Sequence, residues 1–144
     1  MQKLLVDTAA WAALELANDH NYSAAFEFSQ EAGRTYRWVT TNWIIWETVT
    51  LLQQRGTHAK ATQFYERVWQ SASLDIVQVV PPHETLAWDI FRQYADKRFS
   101  AVDCISFAVM KTMRITSAFT FDHHFWQAGF QTLPVTLRSK TNDD

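Results

Sequence analysis

Short apolar runs alternate with stretches of helical periodicity along this chain, and that alternation leaves few folds open. Residues 3–7, 36–40, 74–80 and 115–121 read as strands, each bounded by polar or turn-forming residues. Residues 8–18 read as a helix with Ala10, Trp11 and Leu14 facing inward. Ser23 caps a second helix that Gly33 stops, and Thr41 or Asn42 caps a third that ends at Gly56. Thr57 opens a fourth, to about Ser71. Pro81-Pro82 closes the third strand, and residues 83–94 follow as a helix with Leu86, Ile90 and Tyr94 on one face. Ser100-Ala101-Val102-Asp103 has the form of a capping box and starts a helix running to about Met113. Residues 123–128 form a short helix before Gly129, and residues 130–133 a last edge strand. Strands and helices in this order imply an α/β fold, with a mainly parallel sheet between two helical layers.

With 144 residues, the chain suits one domain around one core, here residues 1–134, followed by a polar tail at 135–144. Hydrophobic residues make up 47% and charged residues 19%, which excludes a disordered chain. The net charge of −2 provides no global attraction to nucleic acid and leaves only a local basic patch for that purpose. The single cysteine, Cys104, cannot form an internal disulfide. No basic-then-apolar leader opens the chain and no apolar run reaches ~18 residues. Together these lead us to expect a cytoplasmic protein without a membrane segment.

Four acids interrupt this apolar pattern. Asp7 ends Leu4-Leu5-Val6, and Asp122 ends Ala118-Phe119-Thr120-Phe121. Glu47 lies within Trp43-Ile44-Ile45-Trp46 and the apolar residues that follow, and Asp103 within an apolar helix. An unpaired buried carboxylate costs roughly several kcal/mol or stays protonated. Four such groups call for a shared compensating partner, and a hard divalent cation with oxygen ligands supplies one. Such an ion suits phosphoryl chemistry, whereas a glycosidase needs only two carboxylates. Taken singly, Asp7 and Asp122 could be helix caps, and Asp103 could oppose a helix dipole. Glu47 fits those readings least.

The order of the acids carries a resemblance. Leu4-Leu5-Val6-Asp7-Thr8 comes first, then Thr41-Asn42-Trp43-Ile44-Ile45-Trp46-Glu47-Thr48. Asp96-Lys97-Arg98-Phe99-Ser100-Ala101-Val102-Asp103-Cys104-Ile105-Ser106-Phe107-Ala108 follows, and Ala118-Phe119-Thr120-Phe121-Asp122-His123-His124-Phe125 closes the set. In this order the segments resemble the PIN domain of VapC-type toxin ribonucleases. The resemblance implies a three-layer α/β/α sandwich and a Mg²⁺- or Mn²⁺-dependent endoribonuclease with Asp7, Glu47, Asp103 and Asp122 as metal ligands. It implies that water attacks the RNA phosphorus in line, leaving a 5′-phosphate and a 3′-hydroxyl. Thr8, Ser100 and Asp96 would support the ligands, and Lys97 and Arg98 would touch RNA phosphates. An RNA substrate, a protein antitoxin and a homodimer are the implied partners. Alternatives are an RNA-processing nuclease of the same family and a non-catalytic module on the same fold. A receiver-like phospho-acceptor domain would want a second acid beside Asp7, where Thr8 stands.

Other residues read more plainly. His123-His124 is expected at the surface or at a helix cap, since neighbours on a helix face different ways. Cys104 reads as a packed small residue. Trp43, Trp46 and Trp88 sit in helical apolar patterns and are expected in the core or a dimer interface. Arg34 and Arg37 are further, dispersed candidates for an RNA-binding surface.

Overall fold

The structure, a computed structural model, describes residues 1–135; the tail expected at 135–144 lies outside the described residues beyond Val135. Five strands form one sheet: β1 (Gln2–Val6), β2 (Tyr36–Thr41), β3 (Leu74–Val77), β4 (Ser117–Phe119) and β5 (Gln131–Leu133). Their order is β3-β2-β1-β4-β5, and every pairing is parallel. The helices are α1 (Thr8–Glu15), α2 (Tyr22–Thr35), α3 (Asn42–Arg55), α4 (His58–Gln70), α5 (Pro81–Gln93), α6 (Ala101–Met113) and α7 (His124–Gln127). This is the three-layer α/β/α arrangement expected from the alternation.

Register decides which residues share a face. Leu4 pairs with Trp38 and Val6 with Phe119, so these four side chains project the same way. They meet an aromatic layer carried by the helices. Trp11 lies edge-on to Trp38 at 5.9 Å and to Phe64 at 5.5 Å, and Phe28 meets Phe119 at 4.8 Å. Edge-to-face pairs of this kind add to the burial of the rings themselves. The opposite face takes Leu5, Val39 and Ala118, all fully buried. Helix α6 is enclosed on every side from Asp103 to Met110, and α5 packs against it.

Several boundaries differ from the sequence reading. Helix α2 begins with Asn21 rather than Ser23 at its cap and runs through Gly33, whose missing side chain faces open space. Helix α1 ends at Glu15 and not near residue 18. Pro81 and Pro82 do not close β3; they are the first residues of α5, where a proline loses no helical hydrogen bond. Strand β3 stops at Val77, and the Val79 N–H donates to Asn42 Oδ1 at 2.9 Å. Two other starts match their chemistry. The Thr41 hydroxyl accepts from the Ile44 N–H and the Thr57 hydroxyl from the Lys60 N–H, each at 3.1 Å.

The chain runs outward from β1 through β2 to β3, then returns to the other side of β1 for β4 and β5. The carboxyl ends of β1 and β4 therefore flank the point where strand order reverses, and a crevice opens there.

Candidate active site

Asp7 follows β1 directly and extends its ladder, its N–H donating to the Phe119 carbonyl at 3.1 Å. The side chain is buried, and the Thr120 hydroxyl donates to its Oδ2 at 2.9 Å. Thr120 also accepts from the Asp122 N–H at 3.0 Å, so one hydroxyl ties both strand-end acids together. Asp103 stands at the start of α6, where the expected capping box forms. Its N–H donates to Ser100 Oγ at 3.0 Å, and its Oδ2 accepts from the Ser100 N–H at 2.9 Å. Glu47, one turn into α3, accepts from the Thr8 hydroxyl at 2.5 Å.

Asp7, Thr8, Glu47, Ser100, Asp103 and Asp122 line a single cleft of about 570 Å³, together with Thr50, Leu51, Gln54 and His124. On α3 the residues at 47, 50, 51 and 54 form the stripe that faces the cleft, while Ile44, Thr48 and Leu52 face the core. Glu47 is exposed, which corrects the expectation that all four acids are buried. Apolar neighbours in sequence misled there, because Trp46 is itself 58% exposed. Asp7 and Asp103 are buried and Asp122 is half-buried.

The electrostatics follow from that burial. Desolvation, then the nearby Asp103 charge, pushes the Asp7 carboxyl up to about 7. Burial also raises Asp103, opposed by hydrogen bonds from Ser100 and His124. Near neutral pH, Asp7 is thus held partly protonated, the state a cation relieves. The donors are almost all hard oxygens, and Asp103, Asp122 and His124 offer ligand atoms within 4.8 Å of one another. The chemistry of this set fits a hard divalent ion.

Other expectations do not converge on the cleft. Asp96 is exposed on the loop before α6, pairs with Lys97 at 3.2 Å, and is not part of the cleft wall. Arg98 shares that exposed loop. Arg37 binds Asp75 at 2.6 Å near the start of β2, at the opposite end of the sheet, and Arg34 lies in the last turn of α2, which leads into that strand. Neither belongs to a basic surface at the cleft. Trp46 and Trp88 are exposed rather than in the core. Cys104 is buried, and burial pushes its thiol up to about 11, so it is a packed and unreactive side chain.

His124, expected at the surface or at a helix cap, is instead half-buried in the wall of the cleft. Its ring Nδ1 lies 3.0 Å from Asp103 Oδ2 and 3.3 Å from Asp122 Oδ1. It reaches them because α7 starts within two residues of Asp122 and turns the ring inward against Phe99, at 5.6 Å. The spacing Asp122-His123-His124 was the only available signal.

A parallel five-stranded sheet with an acid-lined cleft at its switch point defines a small class of α/β domains. The PIN domain model matches residues 4–131, and the chain belongs to the PIN domain family. Among its relatives is VapC20, a 23S rRNA-specific endonuclease from Mycobacterium tuberculosis strains CDC 1551 / Oshkosh and ATCC 25618 / H37Rv. It is 33% identical over 127 residues, 88% of this chain and 95% of its own length. The crystal structure of M. tuberculosis VapC20, described as a sarcin–ricin loop cleaving toxin, superposes with a TM-score of 0.80 at 31% identity. That match covers 88% of this chain and 95% of the other. No helix among the described residues is long and apolar enough to cross a membrane.

Proposed function

We propose that this protein is a Mg²⁺- or Mn²⁺-dependent endoribonuclease, the toxin of a type II toxin–antitoxin pair, working in the cytoplasm on structured RNA. The observation that carries the reading is the meeting of Asp7, Glu47, Asp103 and Asp122 in one cleft, from four separate segments. The relation to VapC20 favours a ribosomal RNA loop as substrate class and a protein antitoxin as partner.

Asp7, Asp103 and Asp122 would hold the ion, with Glu47 on the facing wall. When bound, the ion supplies Lewis-acid stabilisation of the charge that develops on the phosphoryl group. The chain's own residues do the rest. Thr120 fixes Asp7, Ser100 fixes Asp103, and Thr8 holds Glu47, so that each carboxylate is presented in one orientation. Water attacks the phosphorus in line, the bond to the 3′-oxygen breaks, and a 5′-phosphate and 3′-hydroxyl remain. Incubation of purified protein with ribosomal RNA and Mg²⁺ or Mn²⁺ should give discrete fragments bearing 5′-phosphates. EDTA and Asp103→Asn should each abolish them. Cleavage that persists with Asp103→Asn would remove the assignment.

We also propose a homodimer formed through α5. Trp88 is 60% exposed, stacks on Phe91 at 5.6 Å, and borders an apolar groove shared with Trp43, Ala101 and Cys104. That groove runs beside the start of α6, so a second copy seated there would border the acidic cleft. Light scattering should report a dimer for the wild type and a monomer for Trp88→Glu. A monomeric wild type at high micromolar concentration would refute the dimer.

A further inference from the structure

We infer that His124 is a positioning residue of the acidic cleft, an N–H clamp between two carboxylates rather than a ligand through Nδ1; this rests on the metal-dependent reading above. The geometry is specific. Nδ1 lies 3.0 Å from Asp103 Oδ2 and 3.3 Å from Asp122 Oδ1. A lone pair facing two carboxylate oxygens would be repelled, so Nδ1 carries the proton; it donates to Asp103 Oδ2 and lies in ion-pair range of Asp122 Oδ1. A protonated ring nitrogen cannot coordinate an ion. The backbone N–H of His124 donates to the same Asp122 Oδ1 at 2.9 Å, so one residue reaches that oxygen through both its backbone and its ring.

The clamp selects which oxygens remain for an ion. Asp103 uses Oδ2 for the Ser100 N–H and the imidazole, and Asp122 uses Oδ1 for the His124 backbone N–H, with the imidazole 3.3 Å away. The opposite oxygens, Asp103 Oδ1 and Asp122 Oδ2, are thereby left for coordination. The two acids come from different elements, α6 and the segment after β4, and the imidazole spans them. Its own rotation is restrained by Phe99, a buried ring wedged against Tyr94 and Phe107. Groups that orient metal-binding carboxylates in this way typically govern affinity by roughly 10- to 100-fold.

The test uses substitutions that separate the two nitrogens. In His124→Asn, the amide nitrogen occupies the place of Nδ1 and can donate to the same oxygens. In His124→Gln, the longer side chain places its amide near Nε2 instead. Mn²⁺ affinity is read from the free-ion signal in electron paramagnetic resonance. Thermal unfolding in EDTA checks that each variant is folded. The clamp predicts that His124→Ala weakens Mn²⁺ binding about tenfold, and that His124→Asn restores it to within about threefold while His124→Gln does not. Unchanged affinity in His124→Ala overturns the inference. Rescue by Gln in place of Asn, or by neither, overturns it too, because the ring would then act through Nε2 or through bulk. A wild type that binds no Mn²⁺ removes the metal reading and the clamp together. Normal wild-type binding with an indifferent His124→Ala removes the clamp alone.

Discussion

Asp7→Asn should lower RNA cleavage by on the order of 10²–10³-fold, the scale expected when one preorganised electrostatic group is removed from a site. The same substitution should make the ion-free protein more stable at neutral pH. In the fold, the Asp7 carboxyl is pushed up to about 7, against 3.8 in the unfolded chain, because it is buried beside Asp103. Between those values the native state holds a proton that the unfolded chain has released. Stability therefore falls as pH climbs from about 4 to about 7, and the loss persists above. Across that interval the penalty is on the order of 4 kcal/mol. An asparagine carries no such penalty, and its carbonyl can still accept from Thr120. Urea unfolding in EDTA should show Asp7→Asn more stable than wild type at pH 8 and nearly equal at pH 4. A variant that is inactive yet less stable at pH 8 would mean that Asp7 serves the fold and not the site.

Magnesium should bind with release of protons, and about tenfold more tightly at pH 8 than at pH 6. A proton and the ion compete for Asp7. At pH 6 most of the ion-free protein carries that proton, and at pH 8 little of it does. Asp103, also raised by burial, pushes the dependence in the same direction. Calorimetry in buffers of different ionisation heat measures the protons released. Thermal melts offer an independent measure, since an ion at 100 times its Kd stabilises the fold by about 2.7 kcal/mol. Equal affinities at the two pH values, with no proton release, would show that the ion does not meet Asp7.

Much of the candidate site was legible in the sequence because its parts are local. A carboxylate directly after a buried strand, Asp7, and a capping box around Ser100 and Asp103 are set by neighbours a few residues away. The same holds for the hydroxyls Thr41 and Thr57 at helix starts. Pattern alone also indicated a parallel sheet, since the strands are short, apolar and separated by helices. The misreadings share a cause. Glu47 looked buried because its neighbours in sequence are apolar, yet a helix distributes adjacent residues over different faces. Arg37 looked available to RNA, yet strand direction carries it to the far end of the sheet, where Asp75 holds it. Pro81 and Pro82 looked like a stop and are a start, because their missing N–H groups cost nothing in the first turn of α5.

The sequence by itself determined the elements and the parallel sheet, since propensity, periodicity and capping act within a few residues, and it marked the four acids as candidates. Only the tertiary structure decided that Thr120 joins Asp7 to Asp122, that Glu47 faces the cleft from an exposed turn, and that His124 bridges Asp103 and Asp122. Those contacts link segments up to 113 residues apart. They exist because strand order reverses beside β1, which brings the ends of two strands and the starts of three helices to one edge. No local pattern records that reversal.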